Sequence, residues 1–147
     1  MGKAFKLQSV LNYRQIIERE AQQVLARALT RQGDLMAQLA RQRAELDYLT
    51  SDFENRKRQG LSMADLNLYR SHIRYSEQQL RSLEKEFEQS NTEVCRCREE
   101  LMRSCQDRRM VEKLKQKQAV QTRRENLHRE NLSLDEIALR ERQGGLA

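Results

Sequence analysis

"RKRQGLSMADL", residues 56–66, is the one mid-chain stretch in which a helix-forming pattern visibly breaks. Gly60 is one of only five glycines in 147 residues, and the chain contains no proline to help it interrupt a helix. Two residues further on, Ser62 and Asp65 give an S-x-x-D pattern, a capping box that opens a new helix. A hinge, a domain boundary and a hairpin tip would all look alike at this point. The flanking sequence has to separate them.

Upstream, positions step by alternating threes and fours through Val10, Arg14, Ile17, Ala21, Val24, Ala28, Gln32, Leu35, Leu39, Gln42, Leu46, Leu49 and Phe53. Ten of these thirteen are apolar, which is the stripe of a coiled coil. Two consecutive steps of four at 24–28–32 read as a stutter that locally relaxes the supercoil. Gly33 beside it costs about 1 kcal/mol relative to alanine and marks a soft place in the helix. Downstream, a second seam runs Leu66, Tyr69, Ile73, Ser76, Leu80, Leu83, Phe87, Ser90, Val94, Cys97, Leu101, Ser104 and Arg108 without a break in the alternation.

Folding the chain at Gly60 pairs the two seams outward from the turn. Phe53 meets Leu66, Leu49 meets Tyr69, Val24 meets Val94 and Val10 meets Arg108, with paired numbers adding to 118 or 119 in thirteen layers. Gln42 falls opposite Ser76 and Arg14 opposite Ser104, so polar interruptions share a layer rather than face apolar surface. Gln32, set against Phe87, is the exception. A continuous parallel dimer with a local kink would require neither equal layer counts nor mirrored polar layers. The expected fold is therefore all-α: one long antiparallel two-helix coiled-coil hairpin, with helix 1 over about 5–58, a tip at 59–62 and helix 2 over about 63–140, in a single coiled-coil domain spanning 1–147. Partners run out near Phe5, whose opposite number falls near 113, so the second helix overhangs beyond Leu114. Leu127, Leu134 and Ala138 then form a thin apolar stripe with no intramolecular cover. Ser133 and Glu136 make another capping pattern, and "QGGL" marks an end; a tail without fixed structure and a partner-binding helix both fit this region.

Composition narrows function. Charged residues make up 34% and aromatics 5%, with no tryptophan, which suits long helices rather than a thick core. No apolar run reaches 18 residues and the start lacks a signal-peptide core, so a cytoplasmic protein is expected. Cys95 and Cys97 on a helix point to nearly opposite sides, and His72 and His128 lie far away in sequence, so neither a metal nor another cofactor is expected. No nucleophile with a spaced base, no glycine-rich phosphate loop and no paired carboxylates occur, and two paired helices offer no water-excluding cavity. A non-enzyme is expected, with no catalytic residues.

Three surfaces remain. Between Arg103 and Arg124 stand eight basic and two acidic residues, a local net charge of +6. Such a stretch can neutralise phosphates, but aromatic side chains for base stacking are missing, and basic helices also dock acidic protein surfaces. The overhang is the second surface. The third is a flank near the tip, where Leu68, His72 and Tyr75 follow helical spacing outside the seam with Tyr48 on the neighbouring helix. Amphipathic aromatics are enriched at interface hot spots, although these four could also merely widen the seam.

The opening "FKLQSVLNYRQIIEREA", the mid-chain "GLS" followed by Leu66, Tyr69 and Ile73, and the late "LDEIALR" (Leu134 to Arg140) resemble the flagellar export protein FliJ family along the whole chain. The resemblance implies an antiparallel coiled coil similar to the central stalk of rotary ATPases. Such a stalk inserts the end bearing both termini into the hexameric flagellar export ATPase, contacts the cytoplasmic domain of the export gate and escorts export chaperones. Placed on this sequence, the ATPase-facing candidates are Phe5, Leu7, Arg14, Arg108, Arg109, Lys113, Lys115, Lys117, Arg123 and Arg124. The export-gate candidates are Tyr48, Leu68, His72 and Tyr75. The implied location is cytoplasmic and peripheral at the inner-membrane export apparatus, with no nucleic-acid partner. A nucleic-acid-binding helical protein and a generic structural coiled coil are the alternatives.

Overall fold

Gly60 ends the first helix by a conformation that other residues resist. Its φ is +95°, the left-handed region where a Cβ would crowd the following carbonyl. The computed structural model describes residues 6–145, and the pair of helices is α1, Gln8–Gln59, and α2, Met63–Gly144. Arg56, Lys57 and Arg58 occupy the last turn of α1, where cations complement its exposed carbonyls, and Asp65 lies in the first turn of α2, where an anion suits the free N–H groups. The Ser62 hydroxyl accepts the Asp65 backbone N–H at 3.2 Å and caps α2 as the S-x-x-D pattern requires. The break is the turn of an all-α helical hairpin. α2 continues as one helix through Ser133, so the second capping pattern starts nothing new.

The chain divides into two compact units. One is Glu20–Leu101; the other joins the chain up to Arg19 with the chain from Met102 onward. In the first unit the ring of Phe53 stacks on Tyr69 at 5.3 Å, not on Leu66. The expected register is therefore displaced by one seam step, and the numbers of facing residues add to 122. The cause is the turn: residues 60–62 separate Gln59 from Met63, so the chain folds about Leu61, and positions counted outward from it add to 122.

Extended from that pair, the register sets Leu39 across from Leu83, Leu35 across from Phe87 and Ala28 across from Val94. It also removes the one mismatched layer: Gln32 lies across from Ser90 rather than Phe87, and its amide donates to Asn91 Oδ1 at 2.6 Å. Ser90, Val94 and Cys97 are all buried, and the polar pair beside them is half-sheltered. All thirteen positions expected along α2 are at least partly sheltered.

In α1 the outcome differs at two places. Val10 and Val24 are exposed, while Leu11 is buried and Leu25 is partly sheltered. Sheltered positions there are Leu11, Arg14, Gln15, Ile17, Glu18, Ala21, Leu25, Ala28 and Gln32, and from Ala21 onward they step by alternating fours and threes. The stutter is absent; Leu25, not Val24, carries the seam. In the second unit the same register sets Leu11 across from Val111, and both are buried. Beyond Gln118 and Thr122, both half-sheltered, every described residue of α2 from Arg123 onward is exposed. The unpartnered part of the helix thus begins a few residues later than Leu114.

Candidate partner-binding surfaces

Near the end of the α1 pairing, the seam becomes charged. Arg14 Nη1 lies 3.4 Å from Asp107 Oδ2. Arg108 is clasped by Glu18 from α1 and by Glu112, 2.8 Å away, from its own helix. These carboxylates hold the guanidinium firmly in its charged form; the Glu18 hydrogen bond contributes most. A half-sheltered cation with two carboxylate partners fixes register as well as adding attraction. Two of the ATPase-facing candidates, Arg14 and Arg108, are thus engaged within the hairpin itself.

That engagement alters the basic stretch. Its two acidic residues, Asp107 and Glu112, are both committed to ion pairs. Arg109, Lys113, Lys115, Lys117, Arg123 and Arg124 are exposed and form no ion pair among the described residues. Six cations therefore face solvent outside any described ion pair, on a helix that outruns its partner. Leu7 is exposed beside this region, and Phe5 lies outside the described residues. A positive field of this kind draws acidic surfaces over roughly a Debye length, about 8–10 Å at physiological salt.

The tip-proximal flank is also open. Tyr48 is 76% exposed, Leu68 68% and Tyr75 60%, and His72 is exposed as well. They do not widen the seam, which Tyr69 fills by stacking on Phe53 and donating its hydroxyl to Asp52 at 3.0 Å. Leu68 and His72 line a shallow groove with Leu49, Asp52 and Tyr69. Asp52, which anchors Tyr69 there, is a residue that sequence reading missed; its partner becomes visible only in the observed register.

The cysteines are unpaired: Cys95 exposed, Cys105 half-sheltered, Cys97 buried. Burial pushes the Cys97 thiol above its ordinary pKa, and Glu93 adds to the effect. Among the described residues no cluster of three His, Cys, Asp or Glu is placed to hold a metal, and no helix is long and apolar enough to cross a membrane.

No curated protein matched this sequence, and no solved structure did. The family model described as the flagellar FliJ protein matches residues 3–145, nearly the whole chain. The hairpin topology, the solvated basic stretch and that match converge, and the chain belongs to the FliJ family, with a role in flagellar export.

Proposed function

We propose that the protein is a stalk that binds and stimulates the hexameric flagellar export ATPase, contacts the cytoplasmic domain of the export gate and escorts export chaperones. In this reading it works in the cytoplasm, peripherally at the inner membrane. One observation carries the ATPase contact: six exposed cations outside any described ion pair, strung along α2 from the end of its pairing with α1 into the stretch that α1 no longer covers. A cationic helix of this kind suits a ring whose bore presents carboxylates or oriented carbonyls, because complementary potentials steer docking and fix its register. Arg14 and Arg108 take a different part. They hold the start of α1 against α2 and so keep the end of the hairpin in shape for insertion.

The export-gate contact rests on Tyr48, Leu68, His72 and Tyr75, four large exposed side chains near the tip. An amphipathic aromatic offers wide contact area at low entropic cost, which suits a docking anchor. The two surfaces involve different residues, so they are separable by mutation.

Lys113→Glu, Lys115→Glu and Lys117→Glu together test the first contact. The expected result is a rise of about tenfold or more in the concentration giving half-maximal ATPase stimulation, with salt sensitivity reduced. Helicity by circular dichroism stays unchanged, because none of the three side chains packs in the hairpin. Undiminished stimulation by the triple variant would defeat the reading. Tyr48→Ala with Tyr75→Ala tests the second contact: binding to the isolated gate domain falls while ATPase stimulation persists.

A further inference from the structure

Val120 follows Val111 by nine residues, two and a half helical turns, and so lies on the side of α2 facing away from the seam. Val120, Leu127 and Leu134 repeat every seven residues along that far side, Ile137 adds to its C-terminal end, and all four are exposed. No element of the hairpin covers them. The charges flanking this stripe are segregated. Residues 113–124 carry five cations (Lys113, Lys115, Lys117, Arg123, Arg124) and no anion. Residues 125–141 carry five anions (Glu125, Glu130, Asp135, Glu136, Glu141) and two arginines, a net charge of −3.

From this arrangement we infer that the segment 113–141 pairs with the same segment of a second copy, antiparallel, about a two-fold axis near Leu127. The apolar stripe is self-complementary in that orientation, since Val120 and Leu134 each stand seven residues from the axis. The basic half of each copy then lies along the acidic half of the other. A parallel pairing in register would set five cations against five cations, which is repulsive. The contact is isologous and closes at two copies. It lies on the face of α2 turned from α1, so it leaves the hairpin seam undisturbed. With few apolar layers and solvated charges, the dimer is weak, micromolar or looser, and loosens further with added salt. The same cations serve the ATPase contact proposed above. Self-pairing and ring binding then exclude one another, although the inference does not depend on that contact.

Sedimentation velocity on the full chain, from low to high micromolar concentration and at two salt concentrations, reads the dimer directly. Two charge-reversed copies make the orientation testable: Lys113→Glu with Lys117→Glu in one, Glu136→Lys with Glu141→Lys in the other. All four side chains are exposed, and circular dichroism on each variant verifies that the helices persist. The expected result is a concentration-dependent wild-type dimer, at least tenfold weaker self-association of each variant alone, and recovery in an equimolar mixture of the two. A wild type monomeric throughout, a mixture no better than its components, or growth beyond two copies would each overturn the inference. No ATPase is present in these measurements, so their failure leaves the stalk reading standing, and loss of ATPase stimulation leaves the dimer standing.

Discussion

Arg108 sits where a coiled-coil seam ordinarily carries an apolar side chain, and Glu18 and Glu112 make that placement tolerable. Glu18→Gln leaves the guanidinium half-sheltered with one carboxylate. Amide exchange over residues 8–19 is then expected to quicken while exchange in Glu20–Leu101 is unchanged, as hydrogen-exchange mass spectrometry would read. The thiols supply a second residue-scale expectation. Cys95 reacts with a maleimide first, Cys105 next, and Cys97 only as fast as its surroundings open, because it is 1% exposed. Its raised pKa means that the folded state favours the protonated thiol. That stabilisation is complete below the ordinary value of 9.0 and is lost as pH climbs through the higher folded value. Glu93 has the opposite sign. The Arg96 hydrogen bond holds its carboxylate below the ordinary 4.5, so its contribution is present above that value and disappears as pH falls through the lower folded one.

At the scale of the element, two glycines call for opposite outcomes from one substitution. Gly33 lies inside α1, and a Cβ there would meet nothing within 4 Å. Gly33→Ala therefore adds helix propensity without a clash and is expected to stabilise by about 1 kcal/mol, a rise of roughly 2–4 °C in Tm. A Cβ on Gly60 also meets open space, but the φ of +95° is strained for any L side chain. Gly60→Ala is expected to cost about 1–2 kcal/mol in urea unfolding. Periodicity alone revealed the α2 seam because its apolar positions have no equally apolar neighbours. Along α1, by contrast, Val10 competes with Leu11 and Val24 with Leu25. Spacing cannot decide between adjacent apolar residues; packing against the partner helix can, and it buries Leu11 and shelters Leu25.

For the whole molecule, a hairpin was legible from a single glycine and two matched stripes, whereas its register was not. Spacing alone placed the fold too early: the turn spans residues 60–62 and is centred on Leu61, which displaces every layer by one step. That displacement is why Asp107, Glu18 and Asn91, the partners of Arg14, Arg108 and Gln32, could not be read from spacing. Tyr48, Leu68, His72, Tyr75 and the six exposed cations fall outside the seam in either register, so spacing alone placed them at the surface; Arg108, a seam residue, it could not. Burial is also uneven between the units. Glu20–Leu101 buries Leu35, Leu39, Phe53, Val94 and Cys97, whereas the other unit buries Leu11 and Val111. Helix stability comes chiefly from packing of the apolar face, so the chain is not expected to melt in one step. Leu39→Ala should cost about 2–5 kcal/mol in the cooperative transition of Glu20–Leu101. Among the described residues, deleting 123–147 removes only exposed side chains. At concentrations below self-association, the midpoint of that transition should hold within about 2 °C while helical ellipticity drops by the deleted share. A large fall in the midpoint would mean that the exposed end of α2 stabilises the hairpin through contacts absent from this fold.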